Sequence, residues 1–230
     1  QRFLIRRHKM SPAKFSSAMP SRKQTFWTLN ILFLLQWIIL GSKVFSRSAW
    51  VLENLLVLAL FIPIIIAFRK GCLSRTAYLM VFIFASIHNI GAHYTYSLAP
   101  YDRWLDSMLG FTLSSAFGWS RNHYDRFVHF LFGLLLFLPF KELVGGKFRL
   151  GSRWSPFLVV LIVIGWSTAY ELLEWTAALI FSEGAGPDYV GTQGDLWDAQ
   201  KDQALAIAGA LLAWALDNTM IAQSPQSRQK

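Results

Sequence analysis

The chain has 230 residues, 54% of them hydrophobic and only 15% charged, with a mean hydropathy of +0.37. A soluble domain of this length carries more charge and less continuous apolar sequence, and the single cysteine, Cys72, excludes an internal disulfide framework and a cysteine-based zinc site. The net charge of +9 is a footprint that membrane topology produces as readily as nucleic-acid binding does, and its distribution along the chain argues against a nucleic-acid partner.

The first 24 residues are basic and polar, with Arg2, Arg6, Arg7, Lys9, Lys14, Arg22 and Lys23, and Met10 is one candidate for the natural start. A basic run before an apolar stretch resembles a signal peptide. No small-residue cleavage site follows, and Lys43 and Arg47 come next, so an uncleaved anchor is the better reading. Six apolar segments then predict six helices: Phe26–Leu40, Trp50–Phe68, Ala77–Tyr96, Phe127–Phe140, Pro156–Phe181 and Ala204–Leu216. A helix needs about 20 residues to cross the hydrocarbon core. The first, fourth and sixth segments are shorter, but the fourth extends back to His123 and the sixth to Asp198. The expected fold is all-α: a polytopic membrane protein with six transmembrane helices in one bundle. A basic cytoplasmic tail (1–25) precedes the membrane domain (26–217), and a short cytoplasmic tail (218–230) follows it.

Charge agrees with hydropathy. With the N-terminus in the cytoplasm, the tails and the second and fourth loops hold sixteen of the 22 Lys and Arg, which is the positive-inside pattern for six spans with both ends inside. Most carboxylates take the opposite side. Acidic residues contribute little to topology, so their bias wants another reason, and binding a metal or a cationic group is one. Two outer loops, Ser97–Asn122 and Ser182–Gln200, are long enough to cap a site. No internal repeat is evident, which removes the inverted-repeat argument for a transporter.

Four of the five histidines fall at one end of these segments, beside the acids, and ionisable groups inside a bilayer are costly enough to mark a functional site. His88 and His93 close the third segment. A spacing of five puts them about 140° apart on a regular helix, so either one is structural or the helix ends near Gly91. Next comes His123-Tyr-Asp125-Arg126-Phe-Val-His129. Asp125 and His129 are i, i+4 and share a face, which permits joint metal binding or a carboxylate-oriented imidazole. Arg126 and Arg121 suit a phosphate or a carboxylate. The bland alternative is an interfacial, charge-paired helix start. Glu171 and Glu174 are i, i+3 in an otherwise apolar segment, where unpaired carboxylates are expensive. They are expected to face the bundle, with Glu174 snorkelling to the interface as the alternative. Asp195, Asp198 and Asp202 have the spacing i, i+3, i+7, one stripe of a helix, where three like charges repel unless a cation compensates. A helix start with Asp195 as N-cap explains the first two and leaves Asp202 unexplained. The motif resembles the acidic motif by which membrane prenyltransferases hold magnesium diphosphate, present here once where that family uses two. No P-loop, HExxH or haem motif occurs.

The run from His88 to Gly209 resembles the inner-membrane family typified by YjdF. The matching stretches are His88-Asn-Ile-Gly-Ala-His-Tyr-Thr-Tyr96, Tyr101-Asp-Arg-Trp-Leu-Asp106, Asn122-His-Tyr-Asp-Arg-Phe-Val-His-Phe130, Tyr170-Glu-Leu-Leu-Glu-Trp175 and Gly191-Thr-Gln-Gly-Asp-Leu-Trp-Asp-Ala-Gln-Lys-Asp202. More distantly the chain is similar to VanZ-like membrane proteins, through Asp125, Arg126 and His129, a mid-helix Glu171 and an Asp-rich start to the last helix. Asp202 stands where an Asn is frequent in that group. The resemblance implies a polytopic bacterial inner-membrane protein and loosely suggests lipid or cell-wall substrates; it assigns no reaction.

These residues give a leading expectation: a metal-dependent enzyme acting on a lipid or lipid-linked phosphate at the outer, periplasmic leaflet. Asp195, Asp198, Asp202, Asp125 and His129 would hold magnesium, manganese or zinc. His123, His93 and Glu171 are the candidate acid–base groups, and Arg126, Arg121, Glu174 and His88 the candidate substrate contacts. Membrane lipids are the expected partners, and a homo-oligomer is compatible with the sequence. The alternatives are a small transporter or proton-coupled carrier using the same groups as a relay, and a non-catalytic membrane subunit whose charges pair internally.

Overall fold

The computed structural model describes residues 20–148, 154–180 and 193–223, and the described residues form eight helices without a strand. Helix α1 (Arg22–Ser42) starts at a capping box, in which Ser21 Oγ accepts from the Gln24 amide and the Gln24 side chain accepts from the Ser21 amide. Helix α2 (Arg47–Arg69) starts at Ser46 and ends before Gly71, whose φ of +84° turns the chain into α3 (Arg75–His93), capped by Ser74. Ser74 also donates its backbone amide to the Glu142 carboxylate, 2.6 Å away.

Helix α3 stops at His93, three residues earlier than the apolar run predicts. Thr95 and Tyr96 adopt left-handed conformations (φ 52° and 54°), and the Tyr96 amide donates back to the Gly91 carbonyl. The Tyr96 ring lies so close to Gly91 that a Cβ there would meet it at 2.7 Å, so glycine lets the tyrosine fold back over its own helix. The first long outer loop is not irregular. It folds into α4 (Tyr101–Leu109) and α5 (Leu113–Phe117), joined by Gly110, with Asp102 accepting from the Leu113 and Ser114 amides. Most of the second long loop, and the tails 1–19 and 224–230, fall outside the described residues.

Helix α6 (Tyr124–Phe148) is the centre of the bundle, packing against α3, α7 (Ser155–Ile180) and α8 (Asp198–Gln223). The closest approach is between α6 and α8. A Cβ on Gly133 would lie 1.9 Å from the Ala206 carbonyl oxygen, and one on Gly209 would lie 2.1 Å from the Phe130 carbonyl oxygen. Two glycines on facing helices let the backbones touch, the small-residue packing that membrane helices use in place of a hydrophobic driving force.

Among the described residues, four helices are long and apolar enough by themselves to cross a membrane: α1, α2, α6 over Tyr124–Gly145, and α7. Helices α3 and α8 are also 19 and 26 residues long but carry more polar groups, of which His88 and Asn89 on α3 and Asp198 and Asp202 on α8 are buried. Helix α1 sits at the periphery with no buried residue, pegged by polar contacts along its length. Arg22 donates to the Phe68 and Leu73 carbonyls, Asn30 to the Tyr78 hydroxyl, Gln36 to the Ser86 carbonyl, and Trp37 to Asn54.

Candidate functional site

One end of the bundle gathers an unusual number of buried ionisable side chains: Glu53, His88, Asp125, His129, Glu171, Glu174, Asp198 and Asp202. At its centre, Asp125, His129 and Asp202 each offer one donor atom within 4.8 Å of the others. Asp125 and His129 meet because they are one turn apart on α6, with His129 Nε2 3.5 Å from Asp125 Oδ1. Asp202 joins them because it lies one turn before Ala206, where the glycine contact presses α8 onto α6. Glu171 belongs to the buried stripe Val163, Ser167, Glu171, Glu174 of α7, and its Oε1 lies 3.4 Å from His129 Nε2. Both α7 carboxylates face the bundle, so Glu174 does not snorkel.

A second group flanks the first. Tyr170 donates its hydroxyl to the Glu53 carboxylate, 2.9 Å from each oxygen. His88 Nδ1 hydrogen-bonds the hydroxyl of Tyr96, and its Nε2 stands 3.9 Å from Glu53. Glu53, Tyr96 and Tyr170 are site residues that sequence reasoning passes over. The signal for Glu53 was present, since it is the only carboxylate in the 23 residues of α2, as Glu171 and Glu174 are the only ones in α7.

The remaining acids do something else. The three aspartates do not share a helical stripe, because α8 begins only at Asp198. Gly194, at φ +85°, and an Asx turn from Asp195 Oδ1 to the Trp197 amide (3.0 Å) hold Asp195 in the turn before it. Asp195 and Asp198 face guanidinium groups instead. Arg126 bonds Asp195 and lies 3.3 Å from Asp198, and Arg121 bonds Asp198 and lies 3.6 Å from Asp195. Lys201 adds a 2.6 Å contact to Asp195. That bond, the Trp197 amide and Arg126 hold the Asp195 carboxyl well below the usual carboxylate range. Beside this rim, Asn122 and Gln193 hydrogen-bond each other reciprocally, at 2.9 and 3.1 Å, tying the segment before α6 to the segment before α8.

Two expected histidines stand apart from the triangle. His93 donates through Nδ1 to the Leu40 carbonyl (2.7 Å) and rests edge-on against Phe45, so it fastens the end of α1. The α3 helix runs through Gly91 as a regular helix, and its geometry sends His88 inward and His93 away. His123 stacks on Trp119 at the rim, 3.5 Å from Arg126. Partial burial, and then the guanidinium groups of Arg126 and Arg121, lower its pKa from the ordinary histidine value.

The chemistry of the triangle is that of a cation site. Two carboxylates and an imidazole are the ligand types of magnesium, manganese or zinc. Asp202 Oδ1 and Glu171 Oε1 are buried without a hydrogen-bond partner, which leaves lone pairs aimed into the cluster. Comparison with known proteins adds the family. Residues 25–223 match the family described as "Predicted membrane protein (DUF2238)". The chain is 36% identical to the inner membrane protein YjdF of Escherichia coli (strain K12) over 172 residues, covering 74% of this chain and 78% of that one. No solved structure matches. The all-helical bundle, its apolar spans and these two matches together mean that the chain belongs to the DUF2238 family and is an integral protein of the bacterial inner membrane.

Proposed function

We propose that the protein is a membrane-embedded enzyme that uses a divalent cation, held by Asp125, His129 and Asp202 with Glu171 beside them, to act on a lipid or lipid-linked phosphate. The observation that carries this reading is the buried triangle of two carboxylates and an imidazole from two helices of an integral membrane protein. Acids packed together in that setting are expensive unless a cation or donors compensate, and Asp202 Oδ1 and Glu171 Oε1 have no hydrogen-bond partner. Bound there, the ion would supply Lewis-acid polarisation of a phosphoryl oxygen and acidify a water. Arg121 and Arg126 stand where they could exchange an aspartate for a substrate phosphate, a ligand their fork geometry suits. His123 next to them is the acid–base candidate, its pKa lowered by partial burial and by the two guanidinium groups. In this reading six helices cross the bilayer, both termini are cytoplasmic, and the site end faces the periplasm. The excess of Lys and Arg in the opposite loops and tails supports that orientation.

The test is metal content of the detergent-purified protein, compared with folded His129→Ala, Asp202→Asn and Asp195→Asn variants. Near-stoichiometric metal lost in the first two and kept in the third is the expected result. No metal after loading with magnesium, manganese and zinc sinks the enzyme reading. It would leave the proton-coupled carrier, which the hydrogen-bonded pairs Glu53–Tyr170 and His88–Tyr96 favour as a relay.

A further inference from the structure

Helix α2 packs on α3, and among the described residues it makes no extended contact with α7. The two helices are joined at the site end, through Tyr170 and Glu53. Below that bond a cavity of about 90 Å³ separates them. Its mouth is formed by Val57 and Leu60 of α2 and by Trp166, Ala169 and Leu173 of α7. Trp166 and Leu173 are exposed, and so are their neighbours Leu58, Ile62 and Leu172. The mouth therefore opens sideways through the apolar surface of the bundle, at mid-helix, where the surroundings are hydrocarbon. Its interior is walled by the buried rings of Phe61 and Phe84 and ends at His88, Asp125 and His129.

Two buried polar atoms are unsatisfied in this cavity. His88 Nε2 and Ser167 Oγ have no hydrogen-bond partner, although both residues are more than nine-tenths buried and both line it. In the tautomer in which the Tyr96 hydroxyl donates to His88 Nδ1, Nε2 carries the ring proton, and both Nε2 and the Ser167 hydroxyl can then donate to an acceptor in the cavity. At roughly 10–15 Å³ for each water-sized group, the space takes a row of several methylenes. Water is a poor occupant, because most of the wall is apolar.

We propose that the cleft between α2 and α7 is a lateral binding site for one acyl chain of a bilayer phospholipid. The chain lies along Leu60, Phe61, Phe84 and Trp166, and its ester carbonyl accepts from His88 Nε2 and Ser167 Oγ. The proposal deepens the functional reading above, since it brings a lipid phosphate to the triangle from within the membrane. It does not need the metal, because a chain seats between two helices whether or not a cation is bound.

The experiment places the full chain in vesicles of phosphatidylethanolamine and phosphatidylglycerol doped with a phosphatidylglycerol carrying a diazirine in one acyl chain. After photolysis, cross-linked residues are mapped by mass spectrometry, with and without chelator. Phe61 and Phe84 are shielded from bulk lipid, so adducts on them require a chain inside the cleft. We expect such adducts, their loss in Ala169→Trp, which plugs the mouth, and unchanged adducts on the lipid-facing Leu34 and Ile38 of α1. Val57→Trp plugs the mouth from the opposite wall and serves if Ala169→Trp does not fold. Adducts confined to the exposed surface, or adducts on Phe61 and Phe84 that survive both plugs, overturn the proposal. Persistence of the pattern in chelator, or in a chain that binds no metal, separates this result from the fate of the metal reading.

Discussion

Substituting Gly133 by alanine adds one carbon at the closest point of the bundle. Its Cβ would meet the Ala206 carbonyl oxygen at 1.9 Å, the Ala210 nitrogen at 2.7 Å and the Ala206 carbonyl carbon at 2.9 Å. All three are backbone atoms, so no side chain can swing aside. Reaching an ordinary contact of 3.4 Å from 1.9 Å requires α6 and α8 to part by about 1.5 Å. Overpacking of this kind costs about 1–3 kcal/mol. The consequence for the site is sharper. His129 lies one turn from Gly133 and Asp202 one turn from Ala206, so the displacement separates Asp202 from Asp125 and His129. Ligand positions in a metal site tolerate about 0.2 Å, several times less than the required movement. We expect Gly133→Ala to lower the melting temperature in detergent and to abolish whatever cation binding the wild type shows. Gly165→Ala is the control, because nothing lies within 4 Å of a Cβ there. That change should be neutral or stabilising by about 0.5–1 kcal/mol through helix propensity. A Gly133→Ala protein as stable as the Gly165→Ala protein would refute the close crossing and the dependence of the triangle upon it.

Tyr170→Phe removes the donor from the buried Glu53 carboxylate and should cost about 1–3 kcal/mol, with Glu53→Gln in the same chain recovering part of it, as read from thermal unfolding. Arg121→Ala or Arg126→Ala alone leaves one guanidinium near both rim aspartates. The double substitution strands a buried Asp198, so its cost should exceed the sum of the two and approach the ~3–5 kcal/mol of a broken buried pair. Asp195, whose folded pKa is depressed, contributes stability above the ordinary aspartate pKa that is lost as pH falls through the folded value, so Asp195→Asn should flatten the acid limb of a stability–pH profile. Cys72 is exposed in the turn between α2 and α3, so an impermeant thiol reagent should label it in inverted membrane vesicles and spare it in intact spheroplasts if both termini are cytoplasmic.

The helices were legible because their apolar runs are bounded by ordinary signals, such as Ser21, Ser46 and Ser74 as N-caps and Gly71 as a turn. Asp125 with His129, and the inward pair Glu171 and Glu174, were legible for the same reason: local helical periodicity fixes which side chains share a face. Asp195 was not, because a helix starting three residues later dissolves the stripe that the spacing implies. The place of His93 is not legible because its partner is the Leu40 carbonyl, and a backbone acceptor leaves no mark in sequence. Asp202 met the α6 pair through Gly133 and Gly209, a long-range contact between small residues whose meaning appears only when the two helices are set side by side.

Helix α1 shows how a segment can belong to a bundle without joining its core. Every apolar side chain on it is at least partly exposed, and in hydrocarbon such exposure costs nothing. Its register is set by a few directional bonds from Arg22, Asn30, Gln36 and Trp37, with His93 gripping the Leu40 carbonyl at the far end. Such a helix can enter the bilayer as a separate unit and dock afterwards. Its leucines and isoleucines are then interchangeable over a wide range, while loss of several pegs together would free the helix to rotate or slide.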